Sequence, residues 1–239
     1  MNSSYRRFLF PWTPLSAGII GLALRSWLLS LADDMGLLPR NHIAELLSIL
    51  LLAAIMVVCA LGVRKGTNRE VYARLFPRSS VAAFGNTFAA LGLAISAFTL
   101  KAGGFLQVLV PVLGVLSGGA LVVVAYCRQK GLRPNCSLHI MVCSYLILRI
   151  MTCCRNWGAE PQLQLYIFPL LSSLFLLIAS YYRAEMDVRN GDCRKYVFFS
   201  QVALFCCCLC AIGEDWLFYL AGAVWMATDF CVLPFGKQN

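Results

Sequence analysis

Charge is scarce in this sequence, because Asp, Glu, Lys and Arg together make up only 13% of its 239 residues. An average soluble domain carries about 25% charged and about 45–50% apolar residues, whereas 60% of this chain is apolar. A soluble protein of this length has too little interior to bury so many apolar side chains. The composition therefore excludes an ordinary soluble domain and indicates a protein whose principal solvent is lipid.

The sequence also lacks the short motifs that mark the best-defined enzyme classes. It contains no H-E-x-x-H, no G-x-S-x-G, no phosphate-binding P-loop and no dinucleotide-binding glycine motif. We find no convergent set of metal ligands among its 12 cysteines and 2 histidines, and we interpret the cysteines as small apolar filler. We therefore predict no cofactor and no metal, and we favour a protein that is not an enzyme.

The sequence has instead a series of long apolar runs. Five runs without Asp, Glu, Lys or Arg are each at least 18 residues long, and a helix needs about 20 apolar residues to cross the hydrocarbon core. Lipid offers no partners to backbone N–H and C=O groups, which favours helices, and the alternation of a membrane barrel is absent. We predict an all-α bundle that forms a single transmembrane domain over residues 1–239. Its eight spans are placed at residues 9–31, 43–63, 79–100, 105–127, 137–154, 163–182, 196–212 and 216–235.

Basic residues concentrate in alternate loops, which orients the spans. Of the 20 Lys and Arg residues, 15 lie in the two terminal segments and in the loops after spans 2, 4 and 6. The other loops hold Arg40, Lys101 and Arg155. Short basic loops stay in the cytoplasm, so we predict a cell-membrane protein with both termini inside. The same placement explains the net charge of +9 without nucleic acid, and membrane lipids are the expected surroundings.

The two halves of the sequence share short strings at corresponding spans. Leu22-Ala23-Leu24-Arg25 in span 1 matches Leu146-Ile147-Leu148-Arg149 in span 5, and weaker matches join span 3 to span 7 and span 4 to span 8. These matches predict a parallel 4+4 repeat, with units 1–134 and 135–239 related by an axis along the membrane normal. The alternative is that short apolar strings align by chance.

Ionisable side chains within spans are costly and are therefore candidates for function. Arg25 and Arg149 both fall in the predicted outer half of the membrane, and Arg suits an anionic ligand because its planar fork makes two parallel bonds. We predict that these two arginines face each other and bind a small anionic group. Glu45 would pair with Arg25, while Gln164 would take the same place beside Arg149 and leave Arg149 the freer cation. The alternative is that both arginines reach the headgroups or form static ion pairs.

A second candidate site lies in the predicted inner half. Asp229 in span 8 is at a depth similar to that of Asn86 in span 3 and Gln201 in span 7. A carboxylate beside two amides predicts a polar floor, or a site for a proton or a cation. The alternative is that the carboxylate only ties helices together through hydrogen bonds.

Span 4 combines a proline with two small residues. Pro111 removes one helical hydrogen bond, and Gly114-x-x-x-Gly118 predicts close approach of a neighbouring helix. Kinked spans of this kind often line transporter sites.

Three functions are compatible with these features. The first is a small transporter or permease for an anionic or amphipathic solute, coupled through Asp229. The second is a membrane-embedded enzyme that acts on a lipid, for which Glu45 with His42 is the acid–base pair that the sequence offers. The third is a non-catalytic subunit, which would need a protein partner or further copies of itself. The paired arginines and the repeat favour transport.

Overall fold

The structure is a computed structural model that describes residues 3–31, 42–64, 79–101, 103–158, 163–188 and 191–232. These residues form eight α-helices and one short 3-10 helix, and they contain no strand, which confirms the all-α prediction. The helices are α1 Ser3–Ser30, α2 Ile43–Arg64, α3 Ser80–Thr99, α4 Leu106–Lys130, α5 Cys136–Trp157, α6 Ile167–Val188, α7 Cys193–Leu209 and α8 Trp216–Val232. The 3-10 helix Leu163–Tyr166 leads directly into α6.

Five helices, α2 to α6, are long and apolar enough to cross a membrane. The other three predicted spans coincide with α1, α7 and α8. Of these, α7 and α8 have 17 residues each, which is at the lower end of the range of about 17–25 residues for a span. The chain thus has the architecture of a helical membrane protein, and the full count of eight spans stays a prediction.

The helices from α3 to α8 form a closed ring, in which each packs against the next and α8 returns to α3. Helices α1 and α2 pack against each other and against the outside of α7. The two halves of the chain differ in this respect, because α6 packs against α7 whereas α2 packs mainly against α1 and α7. The internal repeat therefore stays a prediction.

Helix α7 is the centre of the core. Every residue from Ser200 to Cys207 is buried, because α7 has neighbours on all sides. A helix that is surrounded in this way needs no polar face. Cys206 and Cys207 both lie in this apolar core, and the Cys207 sulfur is 3.1 Å from the Ser172 hydroxyl.

The ring helices alternate in direction, so that their termini gather at two ends of the bundle. We call one the Asp229 end; it contains the starts of α3, α5 and α7 and the ends of α4, α6 and α8. We call the other the Asp215 end, after the turn that joins α7 to α8. In the predicted topology the Asp229 end faces the cytoplasm.

Gly114 and Gly118 of α4 allow the close approach of a neighbouring helix that the sequence predicted, and in the structure this helix is α3. A Cβ atom on Gly114 would overlap the Cβ atom of Ala97, and one on Gly118 would lie 2.9 Å from the carbonyl oxygen of Ala90. Both contacts involve atoms that cannot rotate away, so the absence of side chains sets the distance between the two helices.

This packing predicts that Gly114→Ala destabilises the protein by about 1–3 kcal/mol, the usual cost of overpacking. Ala97→Gly in the same chain should recover most of the loss, because it removes the atom that the new methyl group overlaps. Thermal unfolding in detergent, followed by scanning fluorimetry, measures both effects.

Gly119→Ala is the matched control, because a Cβ atom on Gly119 would meet nothing within 4 Å. It should unfold at the wild-type temperature. Equal losses for Gly114→Ala and Gly119→Ala, or no rescue by Ala97→Gly, would show that the spacing between α3 and α4 does not depend on these glycines.

Candidate functional site

The carboxylate of Asp229 is buried at the Asp229 end and is bound from three neighbouring helices. Arg128 Nη1, at the end of α4, forms an ion pair with Asp229 Oδ1. The Tyr196 hydroxyl of α7 donates to Oδ2 at 2.8 Å, and Asn86 Nδ2 of α3 donates to Oδ1 at 3.3 Å. The Asp229 side chain is only 3% exposed, so it depends on these groups in place of water.

A second buried carboxylate, Asp187 near the end of α6, continues this arrangement. His139 Nε2 of α5 donates to Asp187 Oδ2 at 2.5 Å, and Arg183 Nε lies 3.6 Å from the same oxygen. Arg183 Nη1 is 4.0 Å from Asp229 Oδ2, so Arg183 lies between the two carboxylates. The charges of the two arginines balance those of the two carboxylates. We call this group the Asp187–Asp229 network; it comprises Asn86, Arg128, His139, Arg183, Asp187, Tyr196 and Asp229.

The network joins all six helices of the ring. A buried ion pair of this kind contributes little net stability, but removal of one partner leaves a charge without compensation. Because Arg128 is bound to Asp229, a guanidinium takes the position that a bound cation would need. The geometry therefore favours a lock between helices over the cation site that the sequence suggested for Asp229.

The sequence anticipated only part of this network. Asn86 contacts Asp229 as its depth suggested, and Gln201 is buried five residues beyond Tyr196 on α7. Arg128 and Arg183 were assigned to loops, and that was wrong, because both are buried within helices. The spacing of Arg183 and Asp187, four residues apart, was the available sign that α6 continues beyond residue 182. His139 and Tyr196 gave no signal of their own.

Arg149 lies at the opposite, Asp215 end and is completely enclosed. Its Nη2 is 3.1 Å from Asp215 Oδ2, and its Nη1 donates to the Tyr145 hydroxyl at 3.3 Å and to the Ser96 carbonyl at 3.4 Å. The guanidinium carbon is 3.8 Å from the centre of the Phe218 ring, a cation–π contact. The expectation that Arg149 is the freer of the two cations is therefore wrong: the α7–α8 turn supplies an acidic partner.

A half-open cavity of about 200 Å³ lies at the same end of the bundle. The side chains that matter for its chemistry are three aromatic rings, one guanidinium and two carboxylates, from Arg25, Trp157, Tyr166, Glu214, Asp215 and Tyr219. They come from α1, the end of α5, the 3-10 helix, the α7–α8 turn and the start of α8. The cavity is thus assembled from segments that are distant in sequence.

Arg25 is less fully bound than Arg149. Its Nη2 donates to the Leu165 carbonyl at 3.4 Å, and its Nε is buried without a hydrogen-bond partner among the residues that the structure describes. Asp215 lines the cavity and forms an ion pair with Arg149, whereas Arg149 itself does not line the cavity. The structure therefore places the two predicted arginines near one site, with Arg25 as the one available to a ligand.

The two predicted partners of the arginines have other positions. Glu45 lies in the first turn of α2, and no ion pair joins it to Arg25 within the described ranges. Gln164 belongs to the 3-10 helix beside Leu165, and its side chain lies outside the described part of the chain. His42 Nδ1 accepts a hydrogen bond from the Ala44 backbone N–H at 3.2 Å and so caps α2. His42 therefore has a structural partner, which weakens the acid–base pair with Glu45.

Five helices that are long and apolar enough to cross a membrane indicate a helical membrane protein. Within the described residues, no group of three or more His, Cys, Asp or Glu side chains is placed to hold a metal ion. Comparison with protein-family models, with curated proteins and with solved structures found no match. The cavity and the network are therefore the features from which a function can be inferred.

Proposed function

We propose that this chain is a small membrane transporter for a solute that carries an acidic group. The cavity at the Asp215 end binds the solute, and the Asp187–Asp229 network closes the other end of the bundle. The observation that carries the proposal is this asymmetry: one end has a half-open cavity lined by an arginine and two carboxylates, and the other end has a fully buried, charge-balanced network.

Arg25 is the reason for expecting an acidic group. Its guanidinium lines the cavity, donates one hydrogen bond to a backbone carbonyl and has no ion pair among the residues that the structure describes. A carboxylate or phosphate in the cavity would give it charge-assisted, bidentate hydrogen bonds. An acidic group is therefore the ligand chemistry that this arginine suits.

The network supplies the second element that transport requires. A transporter must close one end of its pathway while the other is open. Ion pairs between different helices can close an end and separate again: Arg183 can keep Asp187, which lies on the same helix, when Asp229 moves away. In the predicted topology both termini and the Asp229 end face the cytoplasm. The cavity therefore opens to the outside of the cell, and the solute enters from there.

The proposal predicts that Arg25→Gln abolishes binding of the solute without unfolding the protein. The purified protein in nanodiscs is examined by native mass spectrometry for ligands that copurify, and by scanning fluorimetry against a set of small carboxylic and phosphoric acids. The wild type should be stabilised by at least one acid, and that stabilisation should be absent in Arg25→Gln. Proteoliposomes loaded with the same acid then test for exchange across the bilayer.

Arg155→Gln is the matched control, because Arg155 is exposed at the end of α5 and does not line the cavity. It should bind and exchange the solute as the wild type does. Equal binding by Arg25→Gln would remove Arg25 from the site, and binding without any exchange in proteoliposomes would exclude transport.

A further inference from the structure

The charges that line the cavity are of both signs. Asp215 is offset by Arg149, which leaves Arg25 and Glu214 as the cation and the anion that face the cavity. No ion pair joins Arg25 to either carboxylate within the described residues, although all three side chains line the same 200 Å³. Opposite charges that line a small cavity without forming an ion pair with each other are suited to a ligand that contacts both. A simple anion would meet Arg25 but would also meet Glu214.

The aromatic side chains point to the nature of the positive group. Trp157 and Tyr166 stack with their ring centres 4.9 Å apart and their planes 17° from parallel, so that each ring keeps one uncovered face. Tyr219 adds a third ring, and its hydroxyl donates to the Pro169 carbonyl at 3.4 Å. Aromatic rings beside a carboxylate are the surroundings in which proteins bind alkylammonium groups. Glu214 is exposed, so it stands at the open side of the cavity.

We propose that the cavity binds a small zwitterion. Its ammonium group lies against the uncovered face of the Trp157 ring and near Glu214, and its carboxylate or phosphate lies on Arg25. The volume of about 200 Å³ is below the range of about 300–1,000 Å³ for drug-sized ligands, which fits a small solute or a single headgroup. This inference rests on the proposed function and specifies its substrate class.

The same chemistry occurs in free solutes and in the headgroups of zwitterionic lipids, and binding measurements separate the two. The protein is reconstituted in nanodiscs of phosphatidylglycerol, which has no ammonium group, and is titrated with glycine betaine, phosphocholine, choline and acetate by isothermal calorimetry. We expect the two zwitterions to bind at least about tenfold more tightly than choline or acetate, because each single ion loses one of two charge-assisted contacts. A headgroup site would lose this binding in phosphatidylcholine nanodiscs, whereas a site for free solutes would keep it.

Two variants assign the contacts. Glu214→Gln should weaken binding of both zwitterions and of choline, and should leave acetate binding unchanged or stronger. Arg25→Gln should weaken binding of the zwitterions and of acetate and leave choline unchanged. Thermal unfolding of each variant reports whether it is folded, and Trp157→Phe, which keeps an aromatic face, should retain most of the affinity that Trp157→Ala loses.

The outcomes separate this inference from the proposed function. Two results would show an anion site and overturn the zwitterion site, while transport of acids would still stand. One is acetate that binds as tightly as glycine betaine, and the other is a Glu214→Gln variant that binds the two zwitterions more tightly than the wild type does. A zwitterion that binds in the expected pattern but is not exchanged by proteoliposomes would overturn transport while the binding site stands.

Discussion

Asp229→Asn is expected to cost about 3–5 kcal/mol of folding free energy, because it leaves a buried guanidinium without its carboxylate. Arg128 would then face a neutral amide inside the bundle, and Arg183 would lose one of the two carboxylates beside it. The Tyr196 hydroxyl would also lose a charged acceptor. Thermal unfolding in detergent, together with unfolding by increasing sodium dodecyl sulfate, measures the loss.

A double-mutant cycle separates the ion pair from the loss of other contacts. Arg128→Gln with Asp229→Asn should destabilise the protein less than the sum of the two single variants, since the double variant leaves no unbalanced charge between these positions. Lys195→Gln is the control, because Lys195 is 56% exposed at 3.8 Å from Asp192, and an exposed pair of this kind contributes less than about 1 kcal/mol. If Asp229→Asn unfolded at the same temperature as Lys195→Gln, the network would not hold the ring together.

Arg149→Met is expected to produce a loss of similar size at the other end of the bundle. The change removes the ion pair with Asp215, two hydrogen bonds and the cation–π contact with Phe218. It leaves the Asp215 carboxylate without a cation in a partly buried turn, which gives an expected cost of about 3 kcal/mol or more. The same unfolding measurement tests it.

A second substitution in the Arg149–Asp215 pair tests whether the unbalanced Asp215 carboxylate causes that loss of stability. Asp215→Leu added to Arg149→Met should recover part of the stability, because an apolar pair of comparable volume carries no unbalanced charge. Arg155→Gln, an exposed arginine on the same helix, should change stability by less than about 0.5 kcal/mol. An Arg149→Met protein as stable as Arg155→Gln would mean that the Asp215 turn is not held by Arg149.

Arg25 and Arg149 show that an arginine within a predicted span indicates a candidate site but does not indicate which groups bind the arginine. The sequence treated Arg25 and Arg149 as equivalent, since each ends a Leu-x-Leu-Arg string in a predicted span. In the structure Arg149 forms an ion pair with Asp215 and donates two hydrogen bonds, whereas Arg25 donates one hydrogen bond and has no ion pair among the described residues. The difference arises from Asp215, a residue that the sequence assigned to an outer loop and that the turn brings back over α5.

The Asp187–Asp229 network also contains residues that the sequence did not assign to a site. Asp229 and Asn86 were recognised because polar residues inside apolar runs are conspicuous. Arg128, Arg183 and Asp187 follow the ends of their apolar runs, where a charged residue ordinarily reaches water, so their burial depends on helices that extend further than the runs.

The sequence by itself determined the helical membrane architecture and the approximate bounds of the helices, because those follow from apolar length and from the need to satisfy backbone groups in lipid. It also predicted that Gly114 allows a neighbouring helix to approach closely, because this depends only on the absence of a side chain; the structure identified that helix as α3. Which charges meet, and which stay available to a ligand, was decided by the tertiary structure alone. Ion pairs and cavities depend on distances between segments as far apart in sequence as Arg25 and Asp215, and no local pattern encodes those distances.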